Sequence, residues 1–496
     1  MMSEKVLAIG AGMAGLWTAL ALAPTGREVV LLERDPGPPP GGPDAVFADW
    51  SRRGVGQLRH SHAFLARLRN LIRDEHPALL AELLAAGCRE LTFEEGLTSV
   101  HRRTYAPKPV DADLAILTSR RTTLELVIRG YVERLPGVTL HAETFVRELL
   151  TASHAPLRVT GVRLEDGTEL SGDLVVDAAG RTSDAVETLV AAGARVATDT
   201  EPTGVLYFTR HYRLLPGAAE PPRGGPPSTG DLDYLKFGVF PGDNGCFSIT
   251  LCLPEVEEEL RRAIMAPETF DAICRALPGV APWIAPERAH GVGRVYGMGD
   301  LQNRWHDLAP GGRAAVLGFF PVGDSHVRTN PLYGRGCSVA AVSATLLRQA
   351  LQETTDPAER LVRYQAKVTA EIRPYYDVMR DSDRRGMARA RQAMTPGYRP
   401  GLRQRLGKAF LEDGVTIAIR SDPDLLRAFL RGFHMLEHPQ AWLKRPANLA
   451  KVLGYWARGR KANAAAYRPK GGPGRTEMLA MLGLPPDADL RRLEAA

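Results

Sequence analysis

The sequence has few cysteines and no metal-binding spacing. Five cysteines are scattered among 496 residues, and none forms a C-x-x-C pair. An odd number of dispersed cysteines is typical of a reduced chain, so we predict a cytoplasmic protein. No arrangement of cysteine and histidine has the spacing of a zinc site, and we therefore expect no metal.

One long apolar run lies near the N-terminus. Residues 6–23 carry no charge and have the length of a signal peptide or a membrane span. Three glycines interrupt this run and divide it into a strand and a helix. We therefore expect a folded element here and no targeting segment.

The charge balance gives no sign of nucleic-acid binding. A net charge of +6 is mild for this length, and no basic helix-turn-helix or zinc-finger pattern is present. With 44% hydrophobic and 24% charged residues, the composition is that of a globular protein with two or three domains. An acidic small ligand is compatible with this balance.

The first motif present is a glycine-rich turn inside a βαβ unit. The pattern predicts a strand over residues 5–9, the turn GAGMAG, a helix over 13–23 and a second strand over 28–32 that ends at Glu33. A glycine turn in this setting indicates dinucleotide binding. It does not separate NAD from FAD.

Each glycine of the turn has a physical role. Gly10 allows the tight turn, Gly12 lets the backbone approach a pyrophosphate, and Gly15 lets the helix pack closely on the strand. The helix N-terminus favours an anion because its N–H groups are free. Glu33 is placed to accept hydrogen bonds from a ribose.

Histidines and arginines mark two further candidate positions. His60 and His62 precede a helix predicted near residue 63, but no third ligand with metal spacing follows, so we expect loop residues. Arg59 is a candidate for a phosphate. Arg121 stands at the start of a helix predicted near residue 122, where a cation opposes the helix dipole and needs a phosphate, a ribityl group or solvent.

The second motif follows a predicted hairpin. Residues 158–164 and 168–171 flank an EDG turn, and a buried strand over 174–177 then runs into AAGRTS. A second strand that ends in Asp-x-x-Gly-Arg is not expected in a plain NAD dehydrogenase.

The third motif is GDSHVRTNPLYGRG, which precedes an apolar helix over residues 339–347. Pro331 stiffens its turn. Gly334 and Gly336 let backbone N–H groups approach a ligand, and the following helix N-terminus favours negative charge.

In this order and spacing, the three motifs resemble those of FAD-dependent monooxygenases with the para-hydroxybenzoate hydroxylase fold. That family is related to aromatic hydroxylases, squalene-type epoxidases, geranylgeranyl reductases and flavin-dependent halogenases. The resemblance covers about residues 5–350, and GVGQLRHSHAFL and RRTTLE are similar to a subfamily of hydroxylase-like FAD oxidoreductases.

The resemblance implies an α/β fold with a Rossmann-like FAD-binding domain, an inserted and mostly antiparallel substrate domain, and a helical C-terminal region. The implied boundaries are 1–90, 115–190 and 305–370 for the FAD-binding domain, 91–114 and 191–304 for the substrate domain, and 371–496 for the helical region. Strands are predicted over 204–215, 234–240, 246–254 and 289–298. Six aromatic residues would line a cavity or pack beneath it: Tyr207, Phe208, Tyr212, Phe237, Phe240 and Phe247.

The resemblance also implies the cofactor contacts. They are Gly10, Gly12, Met13, Ala14 and Gly15 at the pyrophosphate, Glu33 and Arg34 at the adenosine ribose, Arg59 and Arg121 at the phosphate and ribityl region, Asp177 and Gly180 near the adenine side, Asp324 at the ribityl chain and pyrophosphate, and Pro331, Gly334, Arg335 and Gly336 against the flavin ring.

The implied reaction is a monooxygenation. NADH or NADPH reduces FAD, O2 adds to the reduced flavin, and the hydroperoxide transfers oxygen to an aromatic or unsaturated substrate. His60 or His62 would act as a base if the substrate is a phenol.

Three alternatives stay open. A flavin-dependent halogenase is one, although its GWxWxIP signature is absent. The others are a reductase or desaturase of isoprenoid or fatty chains, and a nonredox protein that uses FAD as a structural element.

The C-terminal region is strongly basic. Residues 439–476 hold nine Lys and Arg and no Asp or Glu. We expect a solvated basic face, with weak membrane-surface contact as the alternative.

Overall fold

The computed structural model describes residues 4–152, 156–222, 226–395 and 397–490. The strands, in chain order, are β1 (Lys5–Ile9), β2 (Glu28–Leu32), β3 (Ala63–Phe64), β4 (Arg89–Leu91), β5 (Ile116–Thr118), β6 (Val138–His141), β7 (Val146–Ala152), β8 (Leu157–Leu164), β9 (Glu169–Ser171), β10 (Leu174–Asp177), β11 (Ala197–Pro202), β12 (Val205–Leu214), β13 (Thr229–Asp231), β14 (Lys236–Pro241), β15 (Cys246–Pro254), β16 (Ala289–Met298), β17 (Gln302–Asp307), β18 (Val316–Leu317), β19 (Phe319–Pro321) and β20 (Val327–Arg328).

The helices alternate with these strands and then continue alone. They are α1 (Met13–Leu22), α2 (Gly42–Asp49), α3 (Ala66–Glu75), α4 (Pro77–Ala85), α5 (Ser99–Arg102), α6 (Arg121–Glu133), α7 (Ala185–Ala191), α8 (Glu258–Ala263), α9 (Pro267–Arg275), α10 (Gly336–Glu353), α11 (Pro357–Ala393), α12 (Leu402–Ala409), α13 (Ile417–Ser421), α14 (Pro423–Phe433), α15 (Ala441–Lys444), α16 (Pro446–Ala462) and α17 (Arg475–Met481).

A five-stranded parallel sheet forms the centre of the fold, in the order β19-β10-β1-β2-β6. Its inner strands are short apolar runs that are buried on both faces, as expected for a parallel sheet covered by helices. In the register, Ile9 pairs with Asp177, and Asp177 pairs with Pro321. The three sequence motifs follow β1, β10 and β19, so they lie side by side at one edge of the sheet. The α/β fold with a Rossmann-like sheet is confirmed.

A second sheet is antiparallel, in the order β13-β14-β15-β12-β16. Its four long strands coincide with the segments predicted from the sequence. Because side chains alternate across a strand, β12 divides its residues between two environments. Tyr207 and Thr209 face a cavity, whereas Phe208 and Tyr212 pack in an apolar core with α8 and α9.

The C-terminal region is helical, as predicted, but it is not a separate layer. One helix, α11, runs across the expected boundary at residue 371, because buried residues on both sides of Pro374 pack against the parallel-sheet core. At the far end of the chain, Met478 and Leu479 of α17 pack into the core of the antiparallel sheet. Two elements of the C-terminal region therefore support the two sheets directly.

The basic side chains of α15 and α16 are exposed, namely Lys444, Lys451, Arg458, Arg460 and Lys461. Trp442 is buried, while Leu453 and Trp456 of α16 are partly exposed. Within the described ranges, no helix combines the length and the apolar run that a bilayer span requires. Membrane-surface contact and the cytoplasmic location stay predictions.

The close packing of α1 on the glycine turn gives a stability prediction. An added Cβ at Gly15 would lie 1.9 Å from the carbonyl oxygen of Gly10. We expect Gly15→Ala to lower the free energy of unfolding by about 1–3 kcal/mol, because the helix must move off the turn. Gly454→Ala in α16 is the control, since its Cβ meets open space and alanine favours a helix. Equal denaturant midpoints for the two variants would contradict this packing.

Candidate active site

A cavity of about 800 Å³ lies at the carboxyl edge of the parallel sheet. One end is formed by the turn after β1 and the loop after β10. The middle is bordered by Asp324, Arg121 and the N-terminus of α10. The far end is the face of the antiparallel sheet. Ligands of α/β proteins bind at this position, outside the carboxyl ends of the strands.

The glycine turn forms the floor of the first end. Gly10 has φ +98°, and an added Cβ would lie 2.8 Å from the carbonyl oxygen of Ala178, so only glycine fits. Gly12, Met13 and Ala14 line the cavity. No side chain of the described residues caps the α1 N-terminus, which leaves its first N–H groups available to an anion. Gly15 lies behind the turn and serves packing.

Glu33 is buried beside this turn and already holds three donors. Its carboxylate accepts hydrogen bonds from the backbone N–H groups of Ala11 at 2.8 Å and Asp35 at 2.9 Å, and from Arg52 at 2.9 Å. A carboxylate has about four acceptor positions, so one remains for a ligand. Arg34 lines the same end of the cavity.

A buried charge network connects this end to the middle of the cavity. Arg52 contacts Glu33 and Glu125, and Glu125 accepts from Arg121 at 2.9 Å. Burial alone would lower the pKa of Arg52, but the carboxylates of Glu125, Glu33 and Asp35 raise it above its usual value. Arg121 also donates to the Cys337 sulfur at 3.0 Å. The partner that Arg121 required is thus Glu125, one helical turn further along α6.

Sequence reasoning missed Arg52 and Glu125. Both lie close to predicted site residues, since Arg52 precedes the loop with the histidines and Glu125 is the acid of RRTTLE. The i, i+4 spacing of Arg121 and Glu125 was the available signal. Nothing in the local pattern distinguished Arg52 from its neighbour at position 53.

Besides Gly15, two predicted cofactor residues, Arg59 and Arg335, do not line the cavity. Arg59 donates to the carbonyl oxygens of Phe47, Ala48 and Trp50 at 2.8–3.1 Å, because the last turn of α2 offers free acceptors and a negative dipole end. Arg59 is thus engaged by carbonyl oxygens in this structure, and its contact with a phosphate stays a prediction.

Arg335 also bonds within the protein, and its contact with the flavin ring stays a prediction. Its guanidinium lies over the rings of Tyr333, Tyr375 and Phe433 at 5.3–5.6 Å, and it donates to the Phe433 carbonyl at 3.3 Å. Cation–π contacts hold the side chain behind the turn, away from the cavity.

Asp177 connects the second and third motifs. Its buried carboxylate accepts from the Ala179 N–H at 3.1 Å, from Ser183 at 2.5 Å and from Ser325 at 3.1 Å. The Ser325 hydroxyl in turn accepts from the Gly180 N–H at 2.9 Å. Burial raises the pKa of Asp177. Asp177 and Gly180 both line the cavity, and the hydrogen bonds of Asp177 fix the shape of the two loops.

Asp324 is the acid of the third motif and faces the middle of the cavity. Its carboxylate accepts no hydrogen bond from the described residues. Burial raises the pKa of Asp324, and the arginines at 328, 181 and 121 oppose that rise. An added Cβ at Gly336 would lie 3.9 Å from Asp324 Oδ1, so the α10 N-terminus stands next to this acid. An acceptor with free lone pairs is thus presented to a ligand.

The turn at residues 330–334 is held from behind by α11. Asp383 of α11 is only 5% exposed and accepts from Asn303 and Asn330 at 2.8 Å and from Tyr333 at 3.2 Å. Asn330 Oδ1 accepts from the Leu332 N–H and from the Tyr207 hydroxyl. Burial raises the pKa of Asp383, whereas these donors lower it. Pro331 and Gly334 are therefore fixed at the cavity wall by an acid that no motif indicated.

Comparison with known proteins identifies the family. Residues 5–282 match the family model described as FAD dependent oxidoreductase. The chain belongs to this family of FAD-dependent oxidoreductases. It is 26% identical over 458 residues to protein Rv3254 of Mycobacterium tuberculosis, an alignment that covers 88% of this chain and 90% of that protein.

Two solved structures share the fold of this FAD-dependent oxidoreductase. PqsL of Pseudomonas aeruginosa, "a probable FAD-dependent monooxygenase", has 19% sequence identity and a TM-score of 0.56, covering 79% of this chain and 99% of PqsL. A triple mutant of the flavin-dependent brominase Bmp2 has 14% identity and a TM-score of 0.56, covering 92% of this chain and 99% of Bmp2. At these identities, the likeness is one of fold.

The cavity of the oxidoreductase fits FAD. The uncapped α1 N-terminus suits a pyrophosphate, and Asp324 offers an acceptor to the hydroxyls of a ribityl chain. The α10 N-terminus beyond Asp324 adds N–H donors at Gly336 and Cys337. These groups all line the same cavity, as the binding of one dinucleotide requires.

The sheet wall and the histidines form the far end. Tyr207, Phe237 and Phe240 line it, whereas the other three predicted aromatic residues, Phe208, Tyr212 and Phe247, lie in the core behind. His60 and His62 line the cavity next to this wall. Burial lowers the pKa of His60 to about 4 and that of His62 to about 3, so both rings are neutral at pH 7.

Replacement of Asp324 tests its role at the cofactor. We expect Asp324→Ala to weaken FAD binding about 10- to 100-fold, because a charged acceptor is lost. Asp324→Asn keeps an acceptor oxygen, so we expect its FAD affinity to lie between those of wild type and Asp324→Ala. The bound flavin per protein after gel filtration and a fluorescence titration of the apoprotein measure the effect. The exposed Asp487→Ala is the control, and tight flavin retention by Asp324→Ala would show that Asp324 does not bind the cofactor.

The lowered pKa of His60 predicts a pH-dependent contribution to stability. The unfolded chain protonates this histidine below about pH 6.5, whereas the folded protein does so only near pH 4. The free energy of unfolding therefore falls as the pH is lowered between those two values. When the pH is lowered from 8 to 4.5, we expect the free energy of unfolding of His60→Gln to rise by about 2–3 kcal/mol relative to that of wild type.

Urea unfolding at several pH values measures this difference. Other titrating groups are common to both proteins, so they cancel in the comparison. His438→Gln is the control because that side chain is exposed. Parallel stability curves for His60→Gln and wild type would contradict the prediction.

Proposed function

We propose that this oxidoreductase is a monooxygenase that uses NADH or NADPH and O2 to hydroxylate or epoxidise an aromatic or unsaturated small molecule. The observation that carries the proposal is the continuity of the cavity. It joins the dinucleotide turn to the aromatic face of the antiparallel sheet, with the α10 N-terminus between them. A cofactor in the first part would thus meet an organic substrate in the second.

In this proposal, the chain holds FAD by groups along the cavity. The N–H groups of Gly12, Met13 and Ala14 bind the pyrophosphate, and Glu33 binds the adenosine ribose with its remaining acceptor position. Asp324 binds the ribityl hydroxyls. Bound FAD supplies the acceptance of a hydride from the nicotinamide and the activation of O2.

The remaining groups prepare the substrate end. Pro331 and Gly334 hold the backbone of the turn against the cofactor, and Gly336 and Cys337 present N–H groups that favour negative charge there. Tyr207, Phe237 and Phe240 keep water from the reacting centre, in line with oxygen-transfer chemistry that needs a dry cavity. No protein nucleophile is required.

A small-molecule substrate is supported by one fold neighbour. PqsL was crystallised in complex with 2-aminobenzoylacetate, in a structure with a TM-score of 0.50 and 18% identity. That compound combines a substituted ring with an acid side chain. We propose a small aromatic substrate for the aromatic wall of this cavity.

A flavin-dependent halogenase is the second candidate, because a brominase shares the fold over 92% of this chain. The N–H groups of Gly336 and Cys337 at the α10 N-terminus would suit a halide. The absence of the GWxWxIP signature makes this candidate the weaker one.

Flavin reduction separates the two candidates. We expect anaerobic addition of NADPH or NADH to the purified FAD protein to bleach the flavin absorbance near 450 nm, since a monooxygenase of this kind takes its hydride directly. Admission of O2 should then restore the absorbance. Failure with both nucleotides, together with reduction by a separate flavin reductase and bromide incorporation into a phenol, would favour the halogenase instead.

A further inference from the structure

Two imidazole rings stand where the cofactor end of the cavity meets the sheet wall. His60 and His62 both line the cavity, and they belong to a loop that runs between the cofactor turn and β12. Their Nδ1 atoms are engaged within the protein, while no described residue bonds to either Nε2. Their hydrogen-bond partners decide what each ring presents to a ligand.

The tautomer of His62 is set by a backbone carbonyl. Its Nδ1 lies 2.9 Å from the carbonyl oxygen of His60. A carbonyl only accepts, so Nδ1 must carry the proton and donate. The neutral ring then has its lone pair on Nε2. Stacking on Phe64, with ring centroids 5.8 Å apart, keeps the ring in this orientation.

The tautomer of His60 is set by a chain of hydroxyl groups. Thr250 donates to Ser61, and Ser61 donates to Ser248, each at 2.7 Å. A hydroxyl has one proton, so Thr250 can only accept in its 2.7 Å contact with Thr209. Thr209 therefore donates its only hydroxyl proton to Thr250. In its 3.0 Å contact with His60 Nδ1, Thr209 therefore accepts, and Nδ1 carries the proton.

Both rings thus offer an acceptor and neither offers a donor. Burial lowers the pKa of both rings, and the charges of Arg181 near His60 and Arg121 near His62 lower it further. The rings are therefore poor proton acceptors at neutral pH but remain good hydrogen-bond acceptors. The role of base for these histidines, expected if the substrate is a phenol, is disfavoured.

We propose that the Nε2 atoms of His60 and His62 form an acceptor pair that binds the substrate through an uncharged hydrogen-bond donor, above all an aromatic hydroxyl. The pair sits beside Tyr207 and Thr209 of the sheet wall, so the ring bearing the hydroxyl would pack on that wall. The substrate class is then a neutral phenol, held without deprotonation. This inference rests on the proposed function for identifying the ligand as the substrate.

Selectivity should follow from the unpaired acceptors. A site built to bond a hydroxyl discriminates strongly against an analogue that lacks it, because the acceptors are then buried without a partner. Hydroxyl compounds and their methyl ethers differ in this single donor. The matched pairs phenol and anisole, and 2-naphthol and 2-methoxynaphthalene, therefore probe the site.

The experiment measures binding of these compounds to the full-length FAD protein by the change in flavin absorbance. We expect wild type to prefer the hydroxyl member of at least one pair by about tenfold. His62→Leu and His60→Leu should abolish that preference. His62→Gln should retain it, because its amide oxygen replaces the Nε2 acceptor. Flavin content and thermal unfolding of each variant confirm that the fold is intact.

Three results would overturn the proposal. The first is that wild type does not prefer the hydroxyl member of any compound pair. The second is that the preference survives in both leucine variants. The third is that those variants lose FAD, which would place the two histidines at the cofactor. The proposed function is tested separately by nucleotide-dependent bleaching. If nucleotides bleach the flavin but no hydroxyl compound is preferred, only the acceptor pair is contradicted. If a hydroxyl compound is preferred but no nucleotide bleaches the flavin, only the proposed reductant is contradicted.

A measurement without ligand tests the tautomers directly. Nitrogen-15 spectra of protein labelled in histidine should show both rings protonated on Nδ1 at pH 7.5, with signals assigned from His60→Gln and His62→Gln. A proton on Nε2 of either ring would remove the acceptor from the cavity and contradict the proposal.

Discussion

The parallel pairing of three strands is the constraint on which the site depends. Ile9, Asp177 and Pro321 lie in register across β1, β10 and β19, so the chain leaves the sheet at the same level three times. Parallel strands have all their carboxyl ends at one edge, and this edge collects the turns that follow. Segments that begin at residues 10, 178 and 322 therefore share one cavity. A shift of one residue in either pairing would turn Asp177 or its neighbours away from Ser325.

The second constraint is the cost of burying charge. Arg52, Glu125 and Arg121 are almost fully buried, and each would be strongly destabilising alone because desolvation of an unpaired ion is large. As a connected network, they tie the loop before α3 to α6 and to the glycine turn through Glu33. The same reasoning applies to Asp383, whose three donors hold the turn at the other end of the cavity. Both networks fix backbone that lines the cavity, and Glu33, Arg52 and Arg121 of the first network also line it themselves.

Much of the architecture was predictable because it depends on local patterns. The bounds of β1, β2 and β10 follow from short apolar runs next to glycine or acid, and β15 and β16 agree with the segments predicted for them. The helix expected at residue 63 begins at Ala66 instead, because residues 63 and 64 pair with β5. That difference arises from a strand more than fifty residues away, which no local period encodes.

The sequence by itself determined the fold class and the three motifs, and most of the cofactor residues that the motifs predict line the cavity. These features are encoded by side-chain periodicity and by glycines whose positions are fixed by sterics. The tertiary structure alone decided the partners of these arginines, since Arg59 donates to carbonyl acceptors at the end of α2 while Arg52 contacts Glu33 and Glu125. It also decided that the histidines present acceptors, because their tautomers depend on Thr209, Thr250 and a carbonyl. A hydrogen bond is specified by the partner's position in space, and for most of these groups that partner is distant in sequence.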